Sequence, residues 1–466
     1  MFEHIQSYFL VFKKNMFMNV EFQKYWKNLP KLSDYKKIVK ILETKMTKYF
    51  ENKGFISDSY IDVNLSLSNP MLKSYDLICN YKLPVIKRKE ICGVFDVLIN
   101  EQPSNQVNKV IAFLKNKTEY NTDMIYEDII NTQPMSEIQQ CFRCNYILSN
   151  QYVEKEKANN CKIALILYIY YPDLVEYCYN YAKSMPEYSD IYIVVSREDT
   201  KKRCAEVFKN FPCNKLEIRV KPNRGRDVSA YLVTCKDVFA QYDYVCCMHD
   251  KKTPTATNLF IGYEFSEHCF KSCLESPQYV ENVLNIFNEN KHIGLLVPTL
   301  MFNFDYYKMY GDEINENNLA NLQKLYKSFG LTIPFDNHPI VPFGSMFWVR
   351  GKALKLLLDK NWQYSDFPEE PLCSDGTISH AIERFYSYIV QQEGYLSGYI
   401  ISDKLQELQM SDVKFYFTEQ NKAIKKSKII QKFLQMFFSV KNEYQNGRKI
   451  KKFNILGFKI KFAIND

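Results

Sequence analysis

From Lys162 onward, apolar runs of strand type alternate with stretches of helical spacing. No other feature of this chain narrows its fold so far. KIALILYIYY is followed by the helical pattern DLVEYCYNYAKSM, DIYIVVS by DTKKRCAEVFKNF, and KLEIRVKP by RDVSAYLVTCKDVFA; YDYVCCMHD and IGLLVPT supply a fourth and a fifth strand. This interval predicts an α/β fold, a Rossmann-type, mostly parallel sheet with helices on both faces. The strands lack polar alternation, which predicts burial on both sides. In such sheets ligands bind beyond the carboxyl ends of the strands.

Around this core the pattern is less regular. Residues 1–131 read as a mixed α and β domain, in which SDYKKIVKILETKMTKYFENKGF has helical spacing and ends at Gly54, a C-cap. Residues 132–160 are polar and irregular and read as a linker, so the alternating domain is taken as 161–410. In the tail, 411–466, IIQKFLQMFFSV reads as an apolar helix and NILGFKIKFAI alternates as a strand would.

Composition excludes several classes. The 14 cysteines follow no disulfide-scaffold spacing, and Cys141 and Cys144 form a CxxC without the second pair that a zinc site needs. The start, MFEHIQSYFLVF, lacks a basic segment and a long apolar stretch, and no run approaches the ~20 apolar residues of a spanning helix. A cytoplasmic protein, peripheral at the inner face of the cell membrane, is expected. Net charge is +8, yet residues 411–466 hold 13 Lys and Arg against 4 Asp and Glu, so the body is near neutral and the tail strongly basic. Such a tail suits an anionic membrane surface. It also suits a solvated packing extension. No nucleic-acid-binding module accompanies it, so nucleic acid is not expected as a partner.

Four segments could carry chemistry. KPNRGRDVSAYL (221–232) falls where the third strand gives way to a helix. Gly225 permits a tight turn, Lys221, Arg224 and Arg226 offer charge for a diphosphate, and Asp227 could hold a ribose or base. Equally, Asp227 could cap the helix with the arginines solvated. HDKKTP (249–254) closes the fourth strand with one carboxylate, Asp250, between His249 and Lys251, where a metal–diphosphate site or a plain polar exit would fit. PFGSMFWVRGKALKLLL (342–358) is an apolar strand with Trp348, either a sugar-pocket wall or core. SDGTISHAIERFYSYIVQQEGY (374–395) opens on Asp375, with His380 one turn from Glu383 and Arg384. Asp375 could deprotonate an acceptor hydroxyl or simply cap the helix.

Taken together and in this order, NRGRDVSAYL, MHDKKTP, FGSMFWVRGKAL and DGTISHAIERFYSYIVQQEGY resemble the rhamnan synthesis F family of bacterial glycosyltransferases, over most of residues 162–401. The resemblance implies a GT-A-like fold and transfer of a sugar from a nucleotide-sugar donor to a growing surface polysaccharide, lipopolysaccharide or other lipid-linked acceptor. dTDP-rhamnose is the favoured donor, with UDP- and GDP-sugars as alternatives. Carried over by position, Asn223, Gly225, Arg226, Asp227, His249 and Lys251 become donor-binding candidates. Asp250 becomes the metal or diphosphate residue, with Mg²⁺ or Mn²⁺ as candidate cofactor. Asp375 becomes the base, with His380 and Glu383 as supports. Residues 1–131 resemble the back half of another glycosyltransferase-like domain, without the nucleotide-binding half that precedes it in longer family members, so that either a degenerate first domain or a shortened reading frame is expected. Many nucleotide-sugar transferases carry an Asp-x-Asp at this point, where HDKKTP has the single carboxylate Asp250. This difference keeps a second reading open, that of a non-catalytic glycan-binding or scaffolding protein of the same pathway.

Overall fold

A computed structural model describes residues 4–7, 9–61, 74–83, 85–92, 106–151, 161–252, 259–301, 316–373, 375–445, 448–455 and 458–464. At 90, 106, 259–261, 316, 317 and from 430 onward it describes backbone alone. The chain divides into two compact units. One comprises Met1–Asn145, Gly330–Pro339 and Val390–Ser397; the other comprises Tyr146–Phe329, Ile340–Ile389 and Gly398–Asp466.

The expected sheet lies almost wholly in the second unit, only Asn145 of its first strand and Leu396 and Ser397 of its last being counted with the first unit. Its strands are β1 (Asn145–Leu148), β2 (Ile163–Ile169), β3 (Asp190–Val195), β4 (Lys215–Val220), β5 (Tyr244–His249), β6 (Ile293–Pro298), β7 (Phe347–Arg350) and β8 (Leu396–Ser402), in the order β1-β8-β6-β7-β5-β2-β3-β4. β2 pairs in parallel with both β3 and β5, and β3 with β4. β7 runs antiparallel to β5 and to β6, so those two share one direction. The α/β, mostly parallel reading is borne out, with β7 reversed between β5 and β6. Every residue of β2, β5 and β6 is buried, as apolar runs covered by helices on both faces must be. β4 at the sheet edge is only half-buried, and Lys215, Glu217 and Arg219 along it discourage further pairing. Cys246 and Cys247 are fully buried, and all 14 cysteines are free thiols. Phe347 and Trp348 are core, the Trp348 indole donating to the Cys273 carbonyl at 3.0 Å, so this strand supplies no sugar-facing ring from those two residues.

The helix Asp403–Phe437 follows β8, and β9 (Phe438–Gln445), β10 (Arg448–Ile455) and β11 (Phe458–Ile464) form an antiparallel meander. Two expectations are corrected here. The tail helix starts well before Ile429, because no Gly or Pro interrupts 403–437. NILGFKIKFAI belongs to two strands rather than one. Among the described residues no helix is long and apolar enough to cross a membrane.

Before Asn145, the described elements of the first unit are helices. Residues 62–73 and 93–105, over which part of the expected α and β mixture falls, lie outside the described residues. Asp34 caps the expected helix by accepting the Lys37 N–H at 2.9 Å, and Gly54, at φ 86°, ends it. Phe22, Met46 and Phe50 form a small core, with the Phe22 and Phe50 rings stacked 5.6 Å apart. The stretch expected to be irregular begins instead with the helix Met135–Phe142, whose Met135, Ile138, Cys141 and Phe142 are buried at helical spacing. Asp336 accepts the Ser136 N–H at its start, and Gln391 donates to the Ile130 and Gln133 carbonyls at the end of the preceding helix. Residues 152–160 of that stretch lie outside the described residues.

Candidate active site

The predicted segments converge at the carboxyl ends of β2, β4 and β5. β7 is antiparallel to β5, with Cys247 opposite Phe347, so the turn before β7 reaches the same end. The carboxyl end of a parallel sheet is where loops are free to differ without disturbing the core, and so where ligands are gripped.

Asp250 directly follows β5 and is 4% exposed. Its Oδ2 accepts the Tyr170 and Tyr171 N–H groups at 3.0 and 2.7 Å, from the loop leaving β2. Its Oδ1 is buried with no hydrogen-bond partner among the described residues. Burial pushes the carboxyl up to about 6, against the pull of those two N–H groups. Each side of this arrangement is unfavourable for a purely structural residue: a buried charge, half of it unpaired, costs folding free energy.

His249 is buried, and both ring nitrogens are taken by backbone carbonyls, Nδ1 by Asp250 at 2.6 Å and Nε2 by Gly344 at 2.5 Å. The Gly344 N–H in turn donates to Glu383 Oε1, and Glu383 Oε2 pairs with Arg384 at 3.0 Å. Gly344 sits at φ 74° with the Phe265 ring where a Cβ would stand, 2.9 Å away. His249 and Glu383 thus lock β5, the β7 turn and the helix Ile378–Gln392 together, and position Asp250 rather than face a ligand. Lys251 lies over the Phe265 ring at 4.4 Å, and Lys252 pairs with Asp173. Thr253 and Pro254 of this motif lie outside the described residues.

The NRGRD turn is built by its own residues. Lys221 is 3% exposed and donates to the Pro222 and Arg224 carbonyls, each at 3.0 Å, above the Tyr168 ring. Burial depresses its ammonium to about 8. Gly225 stands at φ 72°, and a Cβ there would lie 2.7 Å from Phe367 Cγ and 2.8 Å from Ser229 Cβ, so only glycine fits. Arg224 donates to the Phe367 carbonyl at 2.5 Å and to the Ser365 carbonyl at 3.3 Å. Arg226 forks onto Glu370 at 2.9 and 3.2 Å. Burial alone would raise the Glu370 carboxyl, but the guanidinium and the Leu372 N–H hold it below its usual range. Asn223 is exposed at the tip. Asp227 is half-buried, and no described residue hydrogen-bonds its carboxylate. The sequence reading missed Glu370; its signal was the acidic pair in FPEEP, which only the fold brings against two arginines.

At the start of the helix Ile378–Gln392, Asp375 Oδ1 accepts from Asn318 at 2.6 Å and lies 3.9 Å from His380 Nδ1. His380 Nδ1 accepts the Thr377 N–H at 3.3 Å, and Nε2 has no partner among the described residues. Burial lowers the imidazole below its usual value, with Glu383 and Asp375 opposing and Arg226 adding to the depression. Arg226 acts electrostatically on both His380 and Tyr171, which ties the NRGRD turn, the β2 loop and the Asp375 turn into one field. Arg226, Asp227, Lys251 and His380 are left with groups open to a ligand, and Asp375 stands beside His380. Among the described residues no group of three His, Cys, Asp or Glu could cage a metal ion, so a divalent cation at Asp250 Oδ1 would draw much of its coordination from phosphate and water.

A family model, Rhamnan synthesis protein F, matches residues 1–395. Two curated relatives from strains of Xanthomonas campestris pv. campestris, each named Uncharacterized protein WxcX, are 30% identical over 174 residues. That stretch is 37% of this chain and 24% of each relative, so the match spans about a quarter of their length.

Proposed function

We propose, starting from the fact that this chain belongs to the rhamnan synthesis protein F family and so to polysaccharide synthesis, that it transfers a sugar from a nucleotide-sugar donor to a growing surface polysaccharide or lipid-linked acceptor. The observation that carries the reading is Asp250: a buried carboxylate with one unpaired oxygen, at the carboxyl end of a parallel strand. A polar ligand that donates to Oδ1, a sugar hydroxyl or a cation on a diphosphate, would relieve that cost. Around it Arg226 and Lys251 offer charge to a leaving nucleoside diphosphate, and Asp227 offers a carboxylate to ribose or sugar hydroxyls.

The reaction proposed is direct displacement at the anomeric carbon, with inversion. Asp375 takes the acceptor hydroxyl proton as the new C–O bond forms. His380, neutral and with Nδ1 accepting from Thr377, presents Nε2–H as a donor beside it. The nucleoside diphosphate leaves with the electron pair, its charge met by Arg226 and Lys251. GT-A-like organisation, dTDP-rhamnose as donor and a cytoplasmic location belong to this proposal. The proposal needs no cation. If Mg²⁺ or Mn²⁺ binds, it does so through Asp250 and the diphosphate and supplies neutralising charge.

A second reading, glycan binding without transfer, is favoured by the use of His249 and Glu383 in internal bonds. Thermal shift of the full chain against dTDP-, UDP- and GDP-sugars, with and without Mg²⁺ or Mn²⁺, separates the two. A donor at 100 times its Kd adds about 2.7 kcal/mol of stability. A selective shift lost in Asp250→Asn is expected. No shift with any nucleotide sugar, but one with a polysaccharide, would replace transfer with binding.

A further inference from the structure

We propose that the carboxyl-terminal helix and meander form a docking surface for an anionic lipid bilayer, centred on three lysines that the sheet register sets in one row. Lys452 in β10 is the direct register partner of Lys461 in β11 and of Lys441 in β9. Neighbouring strands lie roughly 4.8 Å apart, and like charges set directly opposite one another destabilise a sheet. Such a row suits a surface that meets an anion.

The rows on either side have a different character. Val440, Phe453 and Ile460 form the next register triplet, and Phe438, Ile455 and Phe458 the one two residues further along. Rows two apart share a face, so these six apolar positions lie on one face and the lysine row on the other. A thin three-stranded sheet cannot bury such a face by itself.

The helix Asp403–Phe437 packs against β9 and β10 and continues the same chemistry. Phe415, Phe417, Ile424 and Ile429 are exposed, at 60, 67, 48 and 67%. Beside and between them stand the exposed Lys414, Lys422, Lys425, Lys426 and Lys428. Large apolar side chains interspersed with lysines match a bilayer interface, where rings and aliphatic chains enter the headgroup boundary and ammonium groups meet lipid phosphate. Charge selects this occupant. With 13 Lys and Arg against 4 Asp and Glu over 411–466, a second copy of the module is repelled, while an anionic leaflet attracts. The inference is independent of the transfer reaction.

The test is flotation of the full chain with vesicles of phosphatidylcholine alone or with one third phosphatidylglycerol. Binding only to the anionic vesicles, weakened by salt, is expected. K441Q/K452Q/K461Q should lower partitioning roughly 100-fold, from three lost surface lysines. It should melt no lower than wild type, since the substitutions remove repulsion. K183Q/K202Q/K209Q, on the exposed surface of the sheet unit, should bind as wild type. Equal binding of the ladder variant and wild type, equal binding to neutral vesicles, or no vesicle binding by a chain that self-associates or stays monomeric would each overturn the proposal. Should the triple variant unfold, K452Q alone is expected to weaken binding about fivefold, and unchanged binding would overturn it equally.

Discussion

Asp250→Asn separates charge from shape at the centre of the candidate site. The amide oxygen of asparagine can keep both N–H bonds from Tyr170 and Tyr171, while the charge disappears. In the wild type the carboxyl lies at about 6 in the folded chain against an ordinary 3.8. A folded pKa above the unfolded one means that the protonated form is the favoured one in the fold. The contribution to stability is therefore complete below pH ~4 and is lost as pH rises to ~6. At about 1.4 kcal/mol per pH unit, the loss is about 3 kcal/mol. Asparagine does not titrate. The stability of the variant relative to wild type should thus grow by about 3 kcal/mol between pH ~4 and ~7, and near 2 °C per kcal/mol this is ~6 °C in the difference of melting temperatures. Melting curves of both proteins across that range at constant ionic strength measure it directly. Parallel dependence on pH would refute the argument that Asp250 is held as a costly buried carboxylate, and with it the main support for a ligand at Oδ1.

Other outcomes follow from the same geometry. Gly225→Ala places a Cβ 2.7 Å from Phe367 Cγ at φ 72°, and left-handed backbone plus overpacking should cost about 2–4 kcal/mol in chemical denaturation; an unchanged midpoint would contradict the packing described. Glu383→Ala removes the acceptor of the Gly344 N–H and the carboxylate partner of the buried Arg384, which keeps its bond to the His380 carbonyl, and should cost about 3 kcal/mol, with Glu383→Gln milder; equal stability of all three proteins would remove the positioning role. Asp375→Asn should keep fold and donor-induced thermal shift but lose about 10²–10⁴ in turnover, and near-normal turnover would exclude it as base.

Much of this protein was legible in its residues. Strands β2, β5 and β6 announce themselves because a strand covered on both faces must be apolar throughout, and IALILYI, YVCCMH and IGLLVP are so for most of their length. The same logic put NRGRD, HDKK and the Asp375 turn at strand ends or helix starts, since charge cannot sit inside such strands. Gly54, as a helix stop, and the basic balance of the tail needed no more than local chemistry and a count. What the sequence could not tell was pairing across distance. That β7 inserts antiparallel between β5 and β6, that Arg226 finds Glu370 144 residues away, and that His249 and Glu383 meet at Gly344 depend on which surfaces the packed helices bring together. Nor do local signals distinguish a ligand-facing carboxylate from a capping one. Asp250 and Glu383 look alike in sequence, and only tertiary structure left one with an unpaired buried oxygen and the other with both oxygens engaged. The lysine row of the meander has the same origin: each lysine is unremarkable in its own strand, and register alone sets the three side by side.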